Sequence, residues 1–413
     1  MKHTFFVTPK HFGLYTFFAF LTFLFAVAGA NAQTGACTGA GSAVLATAFR
    51  ADYSCVSLGS IAGVPTSYGG LTLKYDDPNT LLIGGTANQA SGRIYQVGVV
   101  RDVNGHITGF TGTATQYPSP GATVGSNNDG GVVFGPGNVL FVARYPSNLL
   151  EQTKPGSTAP DKVINLSTLG ITPSTGSLNF VPAGFPGAGQ LKIVSYNAQR
   201  WFSANVVPDG TGTYDLTSVT PGPIVGSGPE GIAFVPPSSP VFTPYSVLIA
   251  LYSANKIIAA PLDSNGDPII TSAQDFITGL SGAEGAFIDP LTGDFLFSTF
   301  GSSNQVIRVS GFIAPTAGEV SVSGRVMDTS GRGVYGARVS LTAADGKVSP
   351  AITNMFGYYR IDGVTVGETY VAAVSAKRYT FRSRVVTIGD DLAGLDFIEE
   401  SRQQLLLPLR RTF

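Results

Sequence analysis

Histidine is almost missing from this chain. Three of its 413 residues are histidine, and two of them, His3 and His11, fall within the first 32 positions. A Ser-His-Asp or Cys-His centre in the remainder would have to use His106, and a multi-histidine zinc site is excluded by count. His106 stands in "RDVNGHITGF", which reads as a hairpin turn leading into a strand, so a solvated turn residue is expected there. Cysteine is just as scarce, with Cys37 and Cys55 alone. In an exported protein they read as one disulfide pinning the new N-terminus, since two free thiols would fit an oxidising compartment poorly. Charge is sparse too: charged residues are 12% and the net charge is −1, so no overall field draws the chain to nucleic acid. Beyond residue 32 no apolar run is long enough to span a bilayer.

What the chain has is glycine, 52 residues of it, and 26 prolines. Both punctuate strands and disfavour long helices, which points to an all-β protein rich in turns. The length leaves room for two or three domains. Residues 1–32 have a texture of their own. Lys2 and Lys10 precede the apolar run "FGLYTFFAFLTFLFAVAGA", and "ANA" (Ala30, Asn31, Ala32) supplies the small residues of a cleavage site. This is the pattern of a secretory signal removed before Gln33. The run is long for a signal, so an uncleaved membrane anchor is the alternative.

A phrase recurs along the rest. "GGLTLKY" begins at Gly69, "DGGVVFG" at Asp129, "TGSLNFV" at Thr175, "PEGIAFV" at Pro229 and "AEGAFID" at Ala283. With Gly70, Gly131, Ser177, Gly231 and Gly285 taken as equivalent, the spacings are 61, 46, 54 and 54. Each copy continues through a turn to a second apolar strand, then an Asn-bearing turn and a third strand. Two copies add the hairpin signals "DVNGHI" and "DSNGDPI". Four antiparallel strands per repeat of this size describe a β-propeller blade. Glycine suits the axis, where a missing side chain lets backbones approach. Five copies give five blades, with a degenerate sixth as the alternative. The last copy ends near Phe312 after about three strands. "YSCVSLGSI" (Tyr53 to Ile61) could supply its fourth and close the ring, removing the free edge.

In a propeller, the loops entering the first strand and joining the second to the third lie on one face. Asn128, Asp129, Glu230 and Glu284 sit at the first loop. Asn88, Asn148, Asn197, Asn255 and Asn304 sit at or near the second. Carboxylates and amides around one mouth would suit Ca²⁺, a hard cation that takes oxygen ligands. The structural alternative is capping of blade tops, because Asn in turns bonds its own backbone and tolerates left-handed conformations. Trp201 and the recurring Tyr145, Tyr196 and Tyr252 end second strands. They could stack on a sugar ring or peptide at the mouth, or form the border of the core.

The stretch "GPEGIAF" followed by "VLIALYSANKIIAAPLDSNGDP" resembles propellers of the NHL and gluconolactonase-like kind over roughly residues 60–312. That resemblance implies a divalent metal held by Glu, Asn and Asp near the axis, a placement that Glu230 and Glu284 match loosely. Beyond "SGFIAPTAGE" (Ser310 to Glu319) the strands shorten and alternate with the period of half-buried sheet. "GRVMDTSGRGVYGARVSL", "TNMFGYYRIDGVTVGETY" and the final "LDF" closely resemble the carboxypeptidase regulatory-like domain, a transthyretin-like β-sandwich. The resemblance implies a non-catalytic stability or interaction module. Residues 33–312 carry 11 basic and 16 acidic groups, and residues 313–413 carry 12 and 10.

The expected organisation is a signal at 1–32, a propeller at 33–312, a linker at 313–318, a sandwich at 319–398 and a tail at 399–413. The expected function is binding, outside the cell or at the surface of what reads as a bacterium, with an extracellular glycan or protein as partner. The propeller mouth and the sandwich would be the modules used. No nucleic acid is implied, and a membrane only through an uncleaved signal. The opposing reading is a Ca²⁺-dependent, gluconolactonase-like hydrolase. The acidic phrase is incomplete across the blades and no nucleophile-base pair is present, which favours binding. A self-associating coat component is a third reading.

Overall fold

The computed structural model describes residue 1 and residues 35–171, 174–301, 304–313, 319–343, 346–365, 369–388 and 391–400. The expected signal, most of the linker and the tail beyond residue 400 lie outside the described residues.

Two strands come first, β1 (Val44–Leu45) and β2 (Ser54–Gly59). Blade 1 follows with β3 (Leu71–Lys74), β4 (Asp77–Gly85), β5 (Arg93–Arg101) and β6 (Ile107–Gln116). Blade 2 holds β7 (Asn128–Phe134), β8 (Leu140–Arg144), β9 (Leu149–Thr153) and β10 (Lys162–Asn165). Blade 3 holds β11 (Thr175–Phe180), β12 (Leu191–Ser195), β13 (Arg200–Pro208) and β14 (Tyr214–Ile224). Blade 4 holds β15 (Pro229–Val235), β16 (Ser246–Leu251), β17 (Lys256–Pro261) and β18 (Gln274–Thr278). The last blade has β19 (Ala283–Ile288), β20 (Phe295–Thr299) and β21 (Val306–Ser310) of its own. Its fourth strand is β2, antiparallel to β21 with Cys55 opposite Val309. The propeller therefore has five blades, and the strand expected from the N-terminal segment closes it. β1 adds to the outer edge of blade 4.

Closure is reinforced at the N-terminus. Cys37 and Cys55 are disulfide-bonded. The Cys37 segment also pairs with β2, where the Thr38 amide donates to Cys55 at 3.0 Å and the Ser57 amide to Thr38 at 2.7 Å. Phe49, Tyr53, Phe242, Phe276 and Phe312 pack edge-on and stacked around this seam.

Each blade is too thin to bury both faces alone, so the apolar side chains meet between blades. There are five such clusters. Leu82, Ile94 and Val142 fill the seam of blades 1 and 2, and Phe141, Leu178 and Ile193 that of blades 2 and 3. Val194, Trp201 and Ile249 fill the next, and Leu248, Ile257 and Phe297 the one after it. Leu73, Ile83 and Leu296 close the ring between blades 5 and 1.

The glycines of the recurring phrase mark where the inner strands crowd. A Cβ on Gly70 would stand 2.7 Å from the Gly130 carbonyl oxygen, and one on Gly131 2.6 Å from the Leu178 amide. On Gly231 it would strike the Glu284 carbonyl oxygen, and on Gly285 it would lie 2.5 Å from Cα of Gly70. Backbone meets backbone around the axis, and side chains are excluded there.

The C-terminal residues form a two-sheet sandwich. Its strands are β22 (Glu319–Met327), β23 (Arg338–Ala343), β24 (Val348–Ile352), β25 (Tyr358–Thr365), β26 (Thr369–Ser375), β27 (Arg384–Thr387) and β28 (Phe397–Ile398). One sheet runs β25-β22-β28 and the other β24-β23-β26-β27. Val322, Val339, Leu341, Ile361 and Ala372 form the core between them.

Candidate functional site

The site grows from the position just before the axial glycines. In blades 4 and 5 that position is Glu230 and Glu284. In blades 1, 2 and 3 it is Gly69, Gly130 and Gly176. The inner strands of blades 2 to 5 all break register at this phrase, between Asn128 and Val132, Thr175 and Ser177, Pro229 and Ile232, and Ala283 and Ala286. Such irregularities re-aim a side chain, and the acids belong to the inner strands themselves, not to the loops before them.

The outcome is a convergence of three carboxyl groups. Asp129 of blade 2, Glu230 of blade 4 and Glu284 of blade 5 each offer an oxygen, and those oxygens all lie within 4.8 Å of one another. The glycines at that position in blades 2 and 3 make the room. A Cβ on Gly130 would sit 2.7 Å from Oε2 of Glu230, and one on Gly176 2.9 Å from the same atom. The incompleteness of the acidic phrase is therefore part of how the site is built, because five acids could not share this space.

All three carboxyls are almost fully buried. Both Asp129 oxygens, Oε2 of Glu230 and Oε1 of Glu284 lack a hydrogen-bond partner, as does Oδ1 of Asn88. Burial pushes the Asp129 carboxyl up to about 7, against the pull of contacts with Glu284, the Gly130 amide and Asn88. Burial, then repulsion from Asp129, holds Glu230 well above the usual carboxyl range. Burial, then repulsion from Glu230 and Asp129, does the same to Glu284. No lysine or arginine figures among the groups that act on the three.

Above the acids is a cavity of about 150 Å³ lined by Asn88, Tyr145, Tyr196, Tyr252, Phe300, Glu230 and Glu284. The four aromatics occupy one position, the residue at the end of the second strand, in blades 2 to 5. They form a chain of edge contacts: Tyr145 to Tyr196 at 5.7 Å, Tyr196 to Tyr252 at 6.2 Å and Tyr252 to Phe300 at 6.0 Å between centroids. Blade 1 has Thr86 there, and Asn88 faces the opening. The three tyrosines were legible as a recurrence. Phe300 was not, although "FLFSTF" aligns with "VLIALY".

The remaining sequence candidates separate. Asn128 turns away from the acids, with Nδ2 donating to the Gly125 carbonyl at 2.8 Å and Oδ1 in the space that Gly69 and Gly84 leave open. Asn148 accepts from the Thr175 hydroxyl at 2.9 Å and ties blade 2 to blade 3. Asn304 accepts from the Ser67 amide at 2.6 Å and ties blade 5 to blade 1. Asn255 takes a left-handed conformation, φ 51°, in its turn, and Asn197 reaches Ser174 at 3.4 Å. Asn148 and Asn304 thus tie neighbouring blades and Asn255 shapes its turn, while Asn197 also touches the Tyr145 hydroxyl beside the cavity.

Trp201 is fully buried in the seam of blades 3 and 4, where Nε1 donates to Asp267 at 2.9 Å. It belongs to that core and presents no face to the mouth. His106 also departs from expectation. It is not a freely solvated turn residue, for its Nδ1 lies 2.8 Å from the buried Asp294 and joins blade 1 to blade 5.

Comparison with known proteins adds the sandwich. Residues 321–397 match the carboxypeptidase regulatory-like domain. That is most of the span from β22 to β28, and it agrees with the seven strands seen. No curated protein matches the chain. Among solved structures, an auxiliary nutrient binding protein from Bacteroides thetaiotaomicron is 11% identical, over 59% of this chain and 58% of that one, with a TM-score of 0.35. The β-propeller domain of Cps50 from Myceliophteria thermophila is 10% identical, over 58% and 68%, with a TM-score of 0.33. A provisionally assigned gluconolactonase is 12% identical, over 79% and 95%, with a TM-score of 0.32. The chain thus spans 58% of the length of the first of these proteins. The five-bladed fold rests on the strand pairing, not on these scores.

Proposed function

We propose that this is an exported binding protein whose propeller mouth holds a hard divalent cation of the Ca²⁺ class. Asp129, Glu230 and Glu284 would supply carboxylate oxygens and Asn88 an amide oxygen. The observation that carries this reading is the convergence of three buried carboxyls with unpartnered oxygens and, among the described residues, no basic group acting on them. Two oxygens that touch one Ca²⁺ at about 2.4 Å lie at most about 4.8 Å apart, and the oxygens of the three carboxyls all lie within that limit. Burying such a group without a counter-charge is costly, and a cation removes that cost. Ca²⁺ takes about 6–8 oxygens, more than the protein offers. The open positions face the aromatic collar, where an oxygen-bearing ligand with an apolar face, such as a sugar ring, would be held.

Export is supported by the leader pattern and by the Cys37–Cys55 disulfide, which suits an oxidising compartment. No helix among the described residues is long and apolar enough to cross a membrane.

The hydrolase reading keeps one supporting observation. A carboxyl with a pKa near 7, Asp129, is suited to general base work at neutral pH. It calls for a lactone and ester screen once cation binding is in hand. The test of the main reading is calorimetric titration of the exported protein with Ca²⁺, beside the Glu230→Gln/Glu284→Gln variant. Saturable binding by the wild type, lost in the variant, is expected. Absence of binding by a folded wild type would return the acids to a purely structural role.

A further inference from the structure

The sandwich carries a surface that the mouth does not explain. Tyr335, Ile352, Met355, Phe356 and Tyr358 are each between 54% and 76% exposed. Scattered apolar side chains on a surface are ordinary, but five together mark a contact site. They belong to two neighbouring turns and the strand ends beside them. Thr353 joins the turns: its buried hydroxyl donates to the Val334 carbonyl at 2.6 Å and accepts from the Ala337 amide at 2.8 Å. Asn354 holds the second turn closed, accepting from the amides of Phe356 at 2.9 Å and Tyr358 at 3.1 Å. Gly336 and Gly357 follow the exposed aromatics with φ of +69° and +83°, values that favour glycine. These side chains are thus held outward by a bonded framework.

Two arginines flank them. The Arg325 guanidinium stands 5.2 Å from the centre of the Tyr358 ring, and its Nε donates to the Phe356 carbonyl at 2.9 Å. Arg338 lies directly across from Ile352 in the β23–β24 register, which puts both on one face of the sheet. Among the described residues neither Arg325 nor Arg338 is in an ion pair, unlike Arg332 with Asp328 and Arg360 with Asp362, so both charges are open to an anionic partner, with Asp396 beside the Arg325 amide as the nearest acid named.

We propose that this end of the sandwich docks onto an anionic lipid surface. Side chains so exposed are knobs and do not line a groove. A protein partner would need a matching cleft, whereas the headgroup boundary of a bilayer receives knobs without one. Tyr, Phe and Met there bury apolar area at the boundary, and flanking arginines meet the negative headgroups. The inference is independent of the cation at the mouth.

The test is co-sedimentation of the full chain, as recovered after export, with vesicles. One set is phosphatidylcholine and the other contains roughly a quarter phosphatidylglycerol. The wild type should bind the anionic vesicles and bind them less as salt rises. Met355→Ser/Phe356→Ser, with an unchanged thermal melt, should bind about tenfold more weakly or worse, since it loses two apolar side chains. Arg325→Gln/Arg338→Gln should lose the preference for anionic over neutral vesicles. The proposal is overturned if the wild type does not bind, or if the Met355/Phe356 variant binds equally. A dimer that depends on Met355 and Phe356, without vesicle binding, would overturn it in favour of a second copy of the chain.

Discussion

The three mouth carboxyls tie stability to pH in a direction opposite to that of most surface acids, and a cation should reverse it. In Asp129, Glu230 and Glu284 the folded pKa lies above the unfolded value. Without metal, their contribution is therefore fully present below the unfolded pKa and is lost as pH rises through the folded one. For Asp129 the window runs from 3.8 to about 7. That shift corresponds to about 4 kcal/mol, or on the order of 10 °C in melting temperature for a domain of this size. The lowered carboxyls Asp77, Asp102, Asp161, Asp209, Asp328 and Asp391 contribute above their unfolded values and lose that contribution only in acid, so the window above about pH 5 stays clear of them. Glu151 and Asp294, raised by burial outside the mouth, act in the same direction as the three acids, so the difference between Ca²⁺ and chelator is what reports on the mouth. Cations compete with protons for the same oxygens, so Ca²⁺ should stabilise more as pH rises. Saturation at a hundredfold excess over Kd adds about 2.7 kcal/mol. The assay is thermal and urea melts from about pH 5 to pH 8, with chelator and with Ca²⁺. Stability should fall with pH in chelator, and the fall should flatten or invert in Ca²⁺. Identical curves in both, or stability that rises with pH in chelator, would refute the reasoning.

Other outcomes follow from the same structure. Gly285→Ala would place a Cβ 2.5 Å from Cα of Gly70. Because the nearest atom is backbone, with Ser298 and Leu71 side chains crowding behind it, it should cost about 1–3 kcal/mol in urea unfolding; a neutral effect would mean that the inner strands are looser than described. Cys37→Ser/Cys55→Ser opens a link between residues 18 apart and should cost about 3 kcal/mol, with amides of β2 and β21 exchanging before the rest of the propeller. Trp201→Phe removes the donor to Asp267 and should cost about 1–2 kcal/mol while leaving Ca²⁺ affinity unchanged. A loss of Ca²⁺ binding in that variant would put Trp201 at the mouth after all.

The propeller was legible because its determinants are local. The phrase recurs once per blade, with glycine at the axial position in four copies and Ser177 in the third, and "YSCVSLGSI" has the pattern of a strand without a neighbour in sequence to pair with. The convergence of the acids was only half legible. Glu230 and Glu284 stand at equivalent places in consecutive copies, but Asp129 is displaced by one residue and approaches from blade 2. Only ring closure and the broken register of the inner strands bring the three together. The gaps in the acidic phrase looked like an argument against a site. Gly130 and Gly176 give those gaps a different meaning, since their missing side chains leave space for Glu230. His106 was misjudged, and Trp201 was left between the mouth and the core border, for a common reason. Their partners, Asp267 and Asp294, lie 66 and 188 residues away, and no local pattern announces a contact of that range.

The central claim is that Asp129, Glu230 and Glu284 together hold a cation. A crystal structure of the protein grown with Ca²⁺ tests it most directly. An ion bonded to oxygens of all three carboxylates is the expected result. Three protonated carboxyls bonded to one another or to water, with no ion among them at saturating Ca²⁺, would contradict it.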